Sequence, residues 1–182
     1  MHRLIAGLTG LLFLSLGFVS PASAESVDPP SEIQWSSWSG STSTQQLDAS
    51  TAGVISPVFT AGGCSYKQKA DDPHRSAGEV SVHGWWSKWS GTCPAKATVK
   101  VYLQAYGCAT TCTWVTVGSG SGKYFQGGGK GKRATARQVC ASSRVTGFRA
   151  VVDVDLPGII DPGTKTYSGA VNVACSPPGP HK

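Results

Sequence analysis

The stretch TVKVYLQAY, Thr98 to Tyr106, decides the fold class of this chain. Apolar side chains alternate along it with polar or amphipathic ones, and the apolar set is Val99, Val101, Leu103 and Ala105. Successive side chains of a β-strand point to opposite faces of its sheet, so a period of two predicts a strand with one buried face. The stretch FRAVVDVDL, Phe148 to Leu156, alternates in the same way and predicts a second such strand.

Shorter runs of strand-forming residues surround these two stretches and are separated by Gly, Pro, Asp and Ser. They lie at residues 54–59, 79–86, 113–117, 134–140 and 167–175. No segment carries apolar residues at the 3.6-residue spacing of a helix. About seven short strands predict an all-β fold, a single antiparallel β-sandwich of immunoglobulin-like size, with a small barrel as the alternative.

Two glycine-rich segments resemble phosphate-binding loops: GSGSGK, Gly118 to Lys123, and GGGKGKR, Gly127 to Arg133. Neither satisfies the spacing G-x-x-x-x-G-K-[ST], because the first required glycine is missing in both. We therefore predict flexible connections between strands at both places.

Residues 1–24 predict a signal peptide, because Arg3 precedes an apolar run that ends at the small residues Ala22 to Ala24. The predicted mature protein begins at Glu25 and is secreted. The apolar run is short for a bilayer span, and no later segment is long and apolar enough, so no membrane association is predicted.

The six cysteines all follow the predicted signal peptide; they are Cys64, Cys93, Cys108, Cys112, Cys140 and Cys175. An even number in a secreted chain predicts three disulfides, for which fifteen pairings exist. We favour pairs of sequence neighbours that can lie at the ends of adjacent strands. These pairs are Cys64 with Cys93, Cys108 with Cys112, and Cys140 with Cys175.

Residues 25–53 contain much Ser, Thr and Gln and no cysteine, which predicts an extended N-terminal arm ahead of a β-sandwich domain at residues 54–182. Ile33, Trp35 and Trp38 form an apolar group within this polar arm. Such side chains need a surface that buries them, so we predict that they bind a protein partner. Packing against the protein's own domain is the open alternative.

The arm segment WSSWSG, Trp35 to Gly40, recurs as WSKWSG at Trp86 to Gly91. Because the second copy lies among predicted strands, we expect Trp86 and Trp89 to belong to the scaffold and the first copy to carry the function. In the rival function, a carbohydrate-binding or cell-wall-binding module, a stacking platform is formed by Trp85, Trp86, Trp89 and Trp114.

Residue sets typical of catalysis are incomplete, so no enzymatic activity and no cofactor are predicted. The segment GSGSG has Gly120 where the motif G-x-S-x-G requires serine. Asp153 and Asp155 share one face of one predicted strand and cannot flank a sugar from two sides.

A divalent cation could bind the segment DDPH through Asp71, Asp72 and His74, but its composition favours a surface turn, and no metal site is predicted.

The chain has a net charge of +6. A possible basic patch for an acidic partner comprises Lys130, Lys132, Arg133 and Arg137. We favour a solvated face, with no nucleic acid as partner, because few aromatic residues are interleaved with these cations.

The segments CSYKQKADDPHRSAGEVSVHGWW, GTCPAKATVKVYLQAYGC, TCTWVTVGSGSG and ARQVCASS, between Cys64 and Cys175, resemble a group of small secreted proteins of filamentous actinomycetes. The layout of signal peptide, apolar-anchored arm and disulfide-bonded β-domain is similar to that of the adaptor subunit of umbrella toxin particles. That resemblance implies a non-catalytic bridge. Its arm would dock in the cleft of a trypsin-like lectin subunit, and its domain would bind the large repeat-containing toxin chain.

We accordingly expect a non-enzymatic secreted binding or adaptor protein that bridges subunits of an antibacterial toxin complex. The alternatives are the carbohydrate-binding or cell-wall-binding module and a small secreted toxin or inhibitor.

Overall fold

The computed structural model of the protein describes residues 33–39 and 56–179. These residues form eleven β-strands and no helix. The strands are β1 (Gln34–Trp35), β2 (Val58–Ala61), β3 (Cys64–Ala70), β4 (His74–Ser76), β5 (Glu79–Gly91), β6 (Lys96–Cys108), β7 (Cys112–Phe125), β8 (Ala134–Val139), β9 (Ser142–Asp155), β10 (Thr166–Tyr167) and β11 (Val171–Ser176). The predicted signal peptide, most of the predicted arm, and Val54 and Ile55 lie outside the described residues.

The strands form two sheets in which every pairing between described strands is antiparallel. In the six-stranded sheet, β6 lies between β7 and β9, β1 pairs with one end of β6, and β10 and β11 pair with β9. In the five-stranded sheet, β5 pairs with β3, β4 and β8, and β2 pairs with β3. The predicted all-β antiparallel sandwich is confirmed.

The core lies between the two sheets and contains the apolar side chains that the period of two predicts. The inward side chains of β6 are fully buried: Val99, Val101, Leu103 and Ala105. The five-stranded sheet approaches this layer so closely at Gly84 that a Cβ atom there would lie 2.8 Å from Cγ2 of Val152. Alternation along single strands thus places apolar side chains in a core that both sheets share.

Strand β3 was not predicted from the sequence. Its buried positions are Cys64, Tyr66 and Gln68 rather than aliphatic residues, so its alternation is inconspicuous. The Gln68 amide nitrogen donates a hydrogen bond of 2.7 Å to the backbone carbonyl of Thr164, which satisfies this donor inside the protein.

The three disulfides are Cys64–Cys93, Cys108–Cys112 and Cys140–Cys175, the pairing favoured from the sequence. Cys64–Cys93 joins the start of β3 to the chain just after β5, and Cys108–Cys112 closes the turn between β6 and β7. Cys140–Cys175 joins the end of β8 to β11, and it therefore links the two sheets covalently.

The prediction of a flexible connection at Gly118 to Lys123 was wrong, since this segment belongs to β7 and pairs with β6 throughout. A Cβ atom at Gly118 or Gly120 would overlap the backbone carbonyls of Arg137 and Thr135 in β8. The glycines thus let the edges of the two sheets approach backbone to backbone. GGGKGKR, in contrast, lies in the connection between β7 and β8.

Candidate binding surface

The outer face of the six-stranded sheet carries a group of aromatic side chains around one arginine. We call this group the aromatic–arginine face; its members are Trp38, Tyr106, Trp114, Arg149 and Tyr167. The side chains come from the segment 33–39 and from β6, β7, β9 and β10. On β6, the polar half of the alternation that buries Leu103 and Ala105 directs Tyr106 outward. The outward position of Tyr106 therefore follows from the same period of two that forms the core.

Three rings of this face contact one another. The ring centroids of Trp38 and Tyr106 are 4.9 Å apart at an interplanar angle of 83°, an edge-to-face contact. Trp114 lies 5.2 Å from each of them, with its plane tilted by 46° to Trp38 and by 53° to Tyr106. Such pairs add about 0.5–1.5 kcal/mol each beyond the area that they bury. These contacts favour one arrangement of the three rings.

Arg149 connects this cluster to Tyr167. Its guanidinium carbon lies 4.6 Å from the ring centroid of Trp114 and 4.8 Å from that of Tyr167. Its Nε donates a hydrogen bond of 2.8 Å to Oε1 of Gln104, which fixes the plane of the group. Burial lowers the pKa of Arg149, yet an arginine side chain stays charged at neutral pH. A positioned, partly desolvated positive charge thus lies between two aromatic rings.

The segment 33–39 lies against the protein's own domain, which is one of the two alternatives left open by the sequence. Strand β1 pairs with β6, and Trp35 is buried, with 8% of its surface exposed. Its Nε1 donates a hydrogen bond of 3.3 Å to the carbonyl of Pro178. Ile33 packs beside it, where a Cβ atom added at Gly107 would lie 2.6 Å from Ile33 Cγ2.

Trp38 is held at the surface by a reciprocal pair of hydrogen bonds with Asn172 of β11. The Trp38 amide donates to Asn172 Oδ1 at 2.8 Å, and Asn172 Nδ2 donates to the Trp38 carbonyl at 3.0 Å. Of the three predicted anchors, Trp38 therefore forms part of the aromatic–arginine face, whereas Trp35 contributes to the core. A role of Ile33, Trp35 and Trp38 in binding a partner stays a prediction.

Protein-family models, curated proteins and solved structures give no significant match to this chain. Among residues 33–39 and 56–179 there is no helix long and apolar enough to cross a membrane.

The four tryptophans proposed as a stacking platform do not all lie on one surface; Trp85 is half-buried on the outer side of β5. Trp86 is in the core with 1% of its surface exposed, and its Nε1 donates a hydrogen bond of 2.9 Å to the carbonyl of Tyr124. Trp89 is 63% exposed on the five-stranded sheet, with the Lys67 ammonium 4.0 Å from its ring centroid. The expectation that Trp89 is scaffold was wrong, because Trp89 lies three residues after the buried Trp86 and therefore on the outer face of β5. Trp114 belongs to the other sheet.

The predicted basic residues divide between a loop and a strand. Lys130 and Lys132 are exposed in the connection between β7 and β8, and Arg133 is half-buried at its end. Arg137 projects from β8, where its guanidinium lies 3.8 Å from the Glu79 carboxylate. That carboxylate offsets part of the local positive charge.

Sequence reasoning did not select Tyr106, Arg149 or Tyr167 as site residues. Tyr106 and Arg149 stand at outward positions of the two stretches that decided the fold, so their exposure was predictable. Their proximity to Trp38 and Trp114 was not, because it depends on the register between β6, β7 and β9.

Proposed function

We propose that this protein is a secreted, non-enzymatic adaptor that binds a protein partner through the aromatic–arginine face. The observation that carries the proposal is the arginine held between Trp114 and Tyr167 and fixed by Gln104. Trp, Tyr and Arg are the residue types that dominate the binding energy of protein interfaces. Because contacts within this group already restrain its side chains, they would lose little further conformational entropy when a partner binds.

The tilt of the rings favours a protein partner over a polysaccharide. A flat platform for a sugar chain needs ring faces that lie roughly in one plane. Trp38, Tyr106 and Trp114 are inclined to one another by 46° to 83° instead. An uneven surface of this kind fits the protruding side chains of a protein partner. The charged Arg149 side chain would then bind a carboxylate or a backbone carbonyl of that partner.

The specific form of the proposal is the adaptor subunit of an umbrella toxin particle, with a trypsin-like lectin subunit and a large repeat-containing toxin chain as partners. The three disulfides are consistent with an extracellular protein. The position of Trp38 within the face supports a modified version of the arm hypothesis. In this version the arm and the domain form one continuous binding surface, and the arm is not a separate binding segment.

The test is affinity purification of the native protein from culture medium, followed by mass spectrometry, for the wild type and for Trp114→Ala. We expect larger proteins to co-purify with the wild type. Removing the ring that contacts Trp38, Tyr106 and Arg149 should weaken binding by about 2 kcal/mol, roughly thirtyfold, which is typical of a central interface residue.

Trp89→Ala is the matched control, because it removes an equally large ring that is exposed on the other sheet. It should leave partner recovery unchanged, and thermal melting should show both variants folded. Recovery of a lone monomer from the wild type would refute the adaptor function. Wild-type binding to insoluble polysaccharide that is lost in either variant would favour the wall-binding alternative.

A further inference from the structure

We propose that His74 and His83 bind a divalent transition-metal ion of the Zn²⁺ class, with Asp71 as the hydrogen-bond partner that orients His83. One potential ligand atom from each of the three residues lies within 4.8 Å of the others. The group lies on the five-stranded sheet and is independent of the adaptor function proposed above. The cation site considered from the sequence used Asp72; in the structure His83 takes that place.

Strand pairing brings the three residues together. The Asp71 amide donates to the carbonyl of His83 at 3.1 Å, which continues the pairing of β3 with β5. In the adjacent pairing of β4 with β5, His74 lies opposite Ser81, two residues before His83. Side chains two residues apart on a strand share a face, so the imidazole of His74 comes beside that of His83.

Hydrogen bonds fix His83 in one tautomer. Its Nδ1 lies 2.6 Å from Asp71 Oδ2, and its backbone amide donates to Asp71 Oδ1 at 2.5 Å. An ionised carboxylate only accepts hydrogen bonds, so the proton of the neutral imidazole is on Nδ1. Nε2 then carries the lone pair. A carboxylate that accepts from the second nitrogen is the usual partner of a metal-binding histidine.

The same argument applies to His74 with a different acceptor. Its Nδ1 lies 3.0 Å from the backbone carbonyl of Asp72, which can only accept, so the proton of the neutral ring is again on Nδ1. Its Nε2 is 3.2 Å from the Ser81 hydroxyl, a donor that a metal ion would displace. Both histidines therefore present a lone pair on Nε2, and each ring is oriented by a second group.

The spacing needs only a small adjustment to hold a metal. Zn–N and Zn–O bonds of about 2.1 Å in a tetrahedral site separate ligand atoms by about 3.4 Å. The ring centroids of His74 and His83 are 5.5 Å apart with planes inclined by 26°, close to the separation of two imidazoles on one ion. His74 is exposed, so its side chain has room to shift toward His83.

The donor set selects the class of metal. Two neutral imidazoles suit Zn²⁺ and its neighbours among the transition metals, whereas Ca²⁺ and Mg²⁺ prefer oxygen ligands. The exposed side of His74 leaves the remaining coordination positions open to water or to groups from another molecule.

Titration calorimetry of the oxidised protein, purified without a histidine tag, tests the site with ZnCl₂. We expect saturable binding of one Zn²⁺ that His74→Gln weakens at least about tenfold, since one of the two protein ligands is lost. Asp72→Asn is the matched control, because it removes the adjacent carboxylate that lies outside the group. Its affinity should equal that of the wild type, and excess Ca²⁺ should not compete.

His83→Gln would also remove a ligand, but it breaks the hydrogen bond to Asp71 and thereby affects folding as well. The role of His83 is therefore tested in the wild-type protein. In the wild-type protein, nuclear magnetic resonance should show that Zn²⁺ perturbs the imidazole signals of both His74 and His83. Equal Zn²⁺ affinity in the wild type and His74→Gln would overturn the site, as would perturbation of only one imidazole.

Discussion

At the scale of single residues, Tyr66 illustrates how burial alters a side chain's chemistry. The residue is fully buried, and its hydroxyl has no hydrogen-bond partner within residues 33–39 and 56–179. Burial, followed by the negative charges of Asp161, Asp153 and Asp155, raises the pKa of Tyr66 to about 12. A buried phenol near carboxylates resists the loss of its proton.

This pKa predicts an alkaline loss of stability. The unfolded tyrosine loses its proton near pH 10 and the folded one near pH 12, so the folded state binds more protons in between. The free energy of unfolding should thus be unaffected by this group below about pH 10 and fall by about 2–3 kcal/mol as the pH rises to 12. Tyr66→Phe should remove this decrease, as measured by urea unfolding at a series of pH values.

At neutral pH Tyr66→Phe should change the free energy of unfolding little. The hydroxyl that it removes is buried and has no hydrogen-bond partner among the described residues. Tyr167→Phe serves as the control, since Tyr167 is exposed. It should retain the alkaline decrease of the wild type. An equal decrease in Tyr66→Phe would show that other groups cause it.

At the scale of elements, β7 is unusual because it pairs with β6 although its central residues have very small side chains or none. Its central residues alternate Gly with Ser, and Gly118 and Gly120 face the backbone of β8. Ordinary strand residues here would separate the sheet edges. Composition alone therefore suggested a flexible loop, whereas the close approach of β8 explains why a strand contains these glycines.

We expect Gly120→Ala to destabilise the protein by about 1–3 kcal/mol or more, because the new Cβ atom would overlap the carbonyl of Thr135. Gly129→Ala is the matched control; no atom lies within 4 Å of a Cβ placed there, and its φ is not positive. Thermal unfolding should show a lower midpoint only for Gly120→Ala. Equal midpoints would mean that β8 moves away at little cost.

At the scale of the whole molecule, the two sheets are held together by the shared core and by one disulfide between them. Cys140–Cys175 spans 35 residues of sequence, whereas Cys108–Cys112 spans 4 and lies within one sheet. A cross-link that closes a longer loop restricts the unfolded chain more strongly. The two disulfides should therefore differ in their contribution to stability.

Replacing Cys140 and Cys175 together by alanine should lower the free energy of unfolding by about 4 kcal/mol, and the same change at Cys108 and Cys112 by about 2 kcal/mol. Urea unfolding of both double variants under oxidising conditions measures the difference. The reverse order of the two losses would show that local strain or packing, rather than loop closure, governs their stability.

Much of the fold was predictable because alternation is a property of a single strand. The pattern in β6 and β9 indicated which side chains are buried, and the order of the cysteines along the chain suggested their pairing. Strand β3 was not predicted because glutamine and tyrosine occupy its buried positions. The glycines of β7 were misinterpreted because their neighbour, β8, is not adjacent in sequence.

The sequence by itself determined an all-β, disulfide-bonded sandwich and the face of each main strand that enters the core. Only the tertiary structure decided which residues meet on the outside. Trp38 bonds to Asn172 across 134 positions, and Arg149 bonds to Gln104 across 45. Local periodicity fixes the side of the sheet on which a residue lies, but the packing of the whole chain sets the register between strands. The aromatic–arginine face and the Asp71–His74–His83 group both depend on that register.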